Sequence, residues 1–167
     1  PHVTNIIGNG MAVDIFKLTK ELESVTSQGV PAPKLIISER AQLLMPYPVL
    51  QDTYEEERLA NRQFGSTKSG IAPFFSDKYA KVGFQVWEIM QEDALLKEKI
   101  DNVLEIKNLL FKHIYHKPEL DANELFETVK GWRETIRPYV VDSVKFMHEA
   151  ITAGKNILLE GQLGSLK

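Results

Sequence analysis

Apolar residues fall along this chain in two patterns: compact runs of two or three, and stripes with steps of three or four. Val3 to Gly10 holds the pair Ile6-Ile7 and ends in Asn9-Gly10. Asn and Gly tolerate the positive φ of tight turns, so this segment predicts a short strand and a turn, with Met11 to Val13 extending it. Asp14 stands where an N-cap belongs, ahead of Ile15, Leu18, Leu22 and Val25, which share one helical face up to about Ser27. Gly29 and Pro31 end that helix. Leu35-Ile36-Ile37 and Leu43-Leu44-Met45 are runs that predict buried strands, the second closed by Pro46 and Pro48. Val49 to about Arg62 is rich in charge and predicts a partly exposed helix.

Phe64 to Pro73 breaks this rhythm with Gly, Ser, Thr and Lys, and a charged stretch from Ser76 to Lys81 follows. The region 92–154 predicts a helical block. Leu96, Ile100, Val103 and Leu110 are spaced for a first helix, and the segment around Pro118 breaks it. Asp121, with Glu124 three residues on, predicts the start of a second helix, whose inner face carries Leu125, Val129, Trp132 and Ile136. Pro138 suits the first turn of a third helix or a kink. That helix carries Val141, Val144, Met147 or His148, and Ile151, and Gly154 caps it. Ile157-Leu158-Leu159 predicts a short buried strand before Glu160-Gly161. Strand, helix, strand, a helical excursion and a last strand together indicate an α/β sheet.

Composition narrows what such a chain does. The 167 residues are 43% hydrophobic and 26% charged, which is ordinary globular usage and enough for one core without disulfides or metal. The formal net charge of −3 lacks the basic excess that phosphate backbones select, so nucleic acid is not an expected partner. With no cysteine, thiol catalysis, disulfide frameworks and Cys-based metal sites are excluded. No apolar run approaches the ~20 residues of a membrane span, and the first residues do not read as a secretion signal, so no membrane partner and a soluble, intracellular protein are expected.

Several residues could carry chemistry. In Gly65–Pro73, glycines can turn amides toward an anion, Ser66, Thr67 and Ser69 offer hydroxyls, and Lys68 offers charge. The loop lacks Walker A spacing, and composition alone favours a surface connector. Glu160 to Ser165 follows a predicted strand, where α/β sheets place ligands, but a plain β-to-α turn explains its glycines equally well. His113 and His116 have metal-ligand spacing without a third ligand, and solvated helix-end histidines explain them better. Glu55-Glu56-Glu57 reads as a solvated helix face, and Trp87, Trp132 and Phe146 as core or interface residues. Lys78 and Lys81 could both face one anion.

Four segments, in order and spacing, resemble the adenylosuccinate synthetase family. Ile6-Ile7-Gly8-Asn9-Gly10 through Asp14 is similar to its IGNGVVVD strand. Leu35 to Ala41 through Pro46-Tyr47 is similar to its LLISDRAH…PYH stretch, with Pro48 at the usual His. Gly65-Ser66-Thr67 through Pro73 and Asp77-Lys78 is similar to its GTTGRGIGP…EDK loop, with Lys68-Ser69 at the Gly-Arg pair. Ile157 to Gly161 through Gly164-Ser165 is similar to the start of its FEGAQGT segment.

The resemblance implies residues 1–167 as the central segment of a larger, helix-rich, mostly parallel-sheet P-loop-like α/β enzyme, excised or read as a single domain. That enzyme joins IMP and L-aspartate to form adenylosuccinate, driven by GTP and Mg2+, as a cytoplasmic homodimer. The resemblance places IMP-phosphate contacts in 64–81. Ser66 and Thr67 match the loop's Thr pair, and Lys81 matches an Arg that reaches over from the neighbouring subunit, keeping its charge without its bidentate fork. The family's IMP-contacting Gln aligns with Leu163, and Gln162 stands one position earlier. The GDEGKGK run and the acid–base Asp and His are absent from this sequence, so the chain alone is expected to hold no GTP or Mg2+ and to be inactive. The competing expectation is a non-enzymatic helical interaction module that kept the framework and lost the ligand.

Overall fold

Asp14 caps the first helix as its position requires: its carboxylate accepts a hydrogen bond from Lys17 N at 3.0 Å. The helix so started, α1 (Ile15–Ser27), lies between strands β1 (Thr4–Ile7) and β3 (Lys34–Ser38). These are seen in the computed structural model, which describes residues 2–161. β1 and β3 pair in parallel, from Thr4 opposite Lys34 to Ile7 opposite Ile37. A parallel pair needs a crossover, and α1 supplies it.

The two strands then bend together. Gly10 takes φ 74°, and its N–H donates to Arg40 O at 3.2 Å. Beyond the bend the pair continues as β2 (Ala12–Val13) and β4 (Gln42–Leu43), also parallel, with β5 (Phe84–Gln85) antiparallel on the far side of β4. β6 (Val140–Val141) completes the first sheet beside β3. The chain is thus α/β, with two small three-stranded sheets ordered β1-β3-β6 and β2-β4-β5. Met11 to Val13 does not extend β1; the Gly10 bend carries it into the second sheet.

Helices cover these sheets. α2 (Pro46–Leu59) begins at Pro46, earlier than the charge pattern predicts, because the early prolines need no helical N–H partner in the first turn. α3 (Ile71–Tyr79) follows the Gly-rich loop, and α4 (Val86–Ile89) follows β5. α5 (Asp93–Leu110) widens into a π turn at Phe111–Tyr115. α6 (Ala122–Ile136) is capped by Asp121, which accepts from Asn123 N and Glu124 N at 2.7 and 2.9 Å. α7 (Ser143–Thr152) is capped in the same way by Asp142, and Gly154, φ 65°, follows its C-cap Ala153.

The core sits where α5 and α6 meet the second sheet and the start of α2. It includes Leu96, Ile100, Leu104 and Phe111 from α5 and its π turn, Val129 and Ile136 from α6, and Leu43, Met45, Tyr47, Phe84 and Val86 opposite. Burial is uneven along the apolar stripes, and the buried strand expected at Ile157-Leu158-Leu159 is not found. In α1 only Ile15 is buried. In α7 only Ser143 is buried, while Val144 and Ile151 of the expected stripe are exposed. Ile157-Leu158-Leu159 forms no strand, and Leu158 is 95% exposed. Leu18 of α1 still packs against the core, whereas Ile157-Leu158-Leu159 is left exposed, because an apolar run requires a surface to cover it.

Candidate functional site

The Gly-rich loop is shaped from below by α2. Asp52 and Glu56 are four residues apart, so they share one helical face, in phase with buried Pro48. Both are buried, at 8% and 3% exposure. Glu56 accepts from Phe64 N at 3.1 Å and from Gly65 N at 3.3 Å. Asp52 accepts from Ser66 Oγ at 2.7 and 2.8 Å and from Gly70 N at 2.9 Å. Glu56 is therefore not part of a solvated face. Its neighbours are: Glu55 pairs with Arg58, and Glu57 with Lys117 at 2.7 Å.

This arrangement decides what the loop can offer an anion. The amides of Gly65 and Gly70 point at carboxylates, so they do not build an outward nest. Ser66 Oγ is committed to Asp52 and accepts from Lys68 N at 3.1 Å. Thr67 is exposed, with its Oγ1 2.8 Å from Ser69 Oγ, and Lys68 takes a left-handed φ of 55° beside it. A hydroxyl pair and one ammonium are thus the outward groups of the loop.

α3 starts at Gly70, whose φ of 76° suits glycine. A Cβ there would lie 2.6 Å from Val49 N and 2.8 Å from the Pro48 carbonyl carbon, so the loop is seated directly on the α2 backbone. At the other end of α3, Asp77 is buried, with Oδ1 2.6 Å from Lys107 Nζ of α5, and its carbonyl accepts from Val82 N and Gly83 N. Lys107 also donates to Gln51 Oε1 at 2.9 Å and lies over the Tyr47 ring. Burial, then the nearby charges of Asp77 and Glu88, pushes the Tyr47 phenol above its ordinary range.

Lys78 and Lys81 leave from this second end. They line an open cavity of about 310 Å3 with Gln42, Gln85, Trp87 and Lys99. The Lys78 ammonium lies 3.5 Å from where a Gly10 side chain would begin, against the turn after β1. Lys81 is exposed, with φ 64°. Lys99 forms an ion pair with Glu88 and donates to Gly83 O at 2.7 Å. Among the described residues, no carboxylate lies within 4.0 Å of Lys78 or Lys81.

The structure brings Ser66 and Thr67 together and sets Lys81 apart from them. Nine residues of α3 lie between, about 13 Å at roughly 1.5 Å per residue. Gln162 lies outside the described residues. His113 and His116 are both exposed, one in the π turn and one in a left-handed residue after it. No cluster of three or more His, Asp or Glu that could hold a metal occurs among the described residues. The buried carboxylates do not fit Mg2+ either: Asp52 and Glu56 are occupied by loop donors, and Asp77 faces an ammonium.

Sequence reading missed one further knot, at the carboxyl ends of the first sheet. Asn9 Oδ1 accepts from Ser38 Oγ at 2.5 Å and Ser143 Oγ at 2.7 Å, and Arg40 N donates to Ser38 Oγ at 3.0 Å. It ties the ends of β1, β3 and β6 together. Nothing local marks it, since Ser143 is 134 residues from Asn9.

No helix among the described residues is long and apolar enough to cross a membrane. The family model for adenylosuccinate synthetase matches residues 1–167. The chain is 37% identical over 157 residues to the adenylosuccinate synthetase of Caldicellulosiruptor bescii, covering 94% of this chain and 37% of that one. It is 37% identical over 166 residues to that of Saccharopolyspora erythraea, covering 99% and 39%. With that of Mesoplasma florum it shares 38% over 165 residues, covering 99% and 38%. The chain therefore spans less than two-fifths of the length of the curated relatives it matches. The solved structure of fully ligated adenylosuccinate synthetase from Plasmodium falciparum shares the fold, with a TM-score of 0.76 at 24% identity, over 93% of this chain and 36% of that one. With the family model matched from first residue to last, this chain belongs to the adenylosuccinate synthetase family.

Proposed function

We propose that this chain is the central part of an adenylosuccinate synthetase, a GTP-dependent ligase that joins IMP and L-aspartate in AMP biosynthesis. GTP phosphorylates the 6-oxygen of IMP, and the aspartate amine then displaces that phosphate. This chain's share is to hold the IMP phosphate. The observation that carries this is the clamped loop, which turns the Gly65 and Gly70 amides and the Ser66 hydroxyl toward buried carboxylates and leaves the Thr67 hydroxyl among its outward groups. Ser66 shapes the loop from beneath, and Gln162 is the further IMP contact.

Lys81 serves the same phosphate from a partner subunit of a cytoplasmic homodimer. Its place beyond the far end of the nine-residue α3, about 13 Å along the helix from the loop, supports that reading. GTP, Mg2+ and the proton-transferring groups belong to the rest of the enzyme. The GDEGKGK run is not in this sequence, and the buried carboxylates here are already occupied.

The test is chromatographic detection of adenylosuccinate from IMP, aspartate, GTP and Mg2+. The longer protein that carries this chain is expected to form it, and the 167 residues alone are not. No product and no IMP binding by the longer protein would overturn the proposal.

A further inference from the structure

We propose that Asp52 and Glu56 are positioning residues for IMP recognition: two buried carboxylates on α2 that impose the loop shape in which Thr67 faces the ligand. This rests on the reading of Thr67 as a phosphate donor.

An ionised carboxylate only accepts hydrogen bonds, and burying one without partners is costly. The pair therefore demands donors, and the loop supplies four: the amides of Phe64, Gly65 and Gly70 and the hydroxyl of Ser66. Those donors fix the chain on either side of Thr67. Glu56 holds the two residues ahead of Ser66, and Asp52 holds Ser66 itself and then Gly70. Between these anchors only Thr67, Lys68 and Ser69 remain, and the left-handed φ of Lys68 closes their turn. The close seating of Gly70 on Val49 removes the remaining freedom.

The division of labour is chemical. A phosphate-binding loop commonly aims its amides at the anion. Here those amides are spent on side chains of the protein, and a hydroxyl is left to meet the ligand. The carboxylates touch no ligand in this arrangement; they act through Thr67. A merely structural pair would stabilise α2 and the loop without caring whether Thr67 keeps its hydroxyl.

That difference is testable by a double-mutant cycle in the full-length enzyme, read by calorimetric titration with IMP and, as a control, GTP. Asp52→Ala is expected to weaken IMP at least about tenfold and GTP less than about twofold. In a Thr67→Ala background the same change is expected to cost less than about threefold, because the group it positions is gone. An equal loss in both backgrounds, or an IMP affinity within about twofold of the unaltered enzyme, overturns the proposal. Should Asp52→Ala not fold, Asp52→Asn is read by the same cycle and criteria.

Amide exchange at Gly65 and Gly70 without ligand separates this inference from the function it rests on. If Thr67→Ala leaves IMP binding unchanged, the reading of Thr67 falls and the proposal falls with it. If Thr67→Ala weakens IMP but Asp52→Ala leaves exchange at Gly70 unchanged, the positioning claim alone falls; exchange at least about tenfold faster at Gly70 is the expected result.

Discussion

Lys107 Nζ lies 2.6 Å from Asp77 Oδ1, and both side chains are about nine-tenths buried. This ion pair fixes the end of α3 from which Lys78 and Lys81 project. Asp77 Oδ2 has no hydrogen-bond partner among the described residues. Lys107→Met would leave a buried, uncompensated carboxylate, which costs about 3–5 kcal/mol. Urea unfolding near neutral pH measures this, and adding Asp77→Asn is expected to restore part of it. A loss under about 1 kcal/mol, the value of exposed pairs, would contradict the burial seen here.

Gly70 cannot become alanine without disturbing α2. Its φ is positive, and the new Cβ would meet backbone atoms of Pro48 and Val49 well inside contact distance. Gly70→Ala is expected to destabilise by about 2–3 kcal/mol. Gly65→Ala, with φ 74° but open space around its Cβ, is expected to cost less than half of that in the same unfolding assay.

Caps, helical steps and the Leu35-Ile36-Ile37 run made α1, α6 and β3 legible in the sequence, because each depends on neighbours a few residues away. β6 was not legible: two residues between Pro138 and the Asp142 cap carry no period of their own. Ile157-Leu158-Leu159 misled for the opposite reason, since an apolar run shows a need for cover and not its supplier. In the candidate loop, composition alone favoured a surface connector and let the glycine amides turn toward an anion, where the structure turns them toward carboxylates. The missing signal was the spacing of Asp52 and Glu56, in phase with Pro48, which marks them as inward on α2. Within a run of three glutamates, charge alone could not single out Glu56.

Tyr47 gives the fold an alkaline limit. Burial, then Asp77 and Glu88, raises its phenol in the folded chain above the ordinary 10.0 at which the unfolded chain ionises. Below that pH both states keep the proton and stability is full. Above it only the folded state keeps the proton, so stability falls as pH rises, by up to about 1.4 kcal/mol per pH unit. Tyr115, pushed up to about 12 by burial and then by Glu55, acts in the same direction from a more exposed place. Unfolding free energies between about pH 9 and 11 are expected to fall less steeply in Tyr47→Phe. An unchanged slope would show that other groups set the limit.

The span of α3 between Thr67 and Lys81 makes a prediction about subunits. Thr67→Ala and Lys81→Ala enzymes are each expected to bind IMP weakly. Mixed and allowed to exchange subunits, they form hybrids in which one site carries both native residues. Tight IMP binding is expected to return on mixing. No recovery in verified hybrids would contradict assignment of Lys81 to the partner's site.

The central claim is that Thr67 holds the phosphate of IMP. Calorimetric titration of the full-length enzyme with IMP, comparing the unaltered protein with Thr67→Ala, tests it most directly. A hydrogen bond to a charged group contributes about 1.5–3 kcal/mol. The account predicts an IMP affinity lower by roughly ten- to a hundredfold, with GTP affinity unchanged. Equal IMP affinity in the two proteins would contradict it.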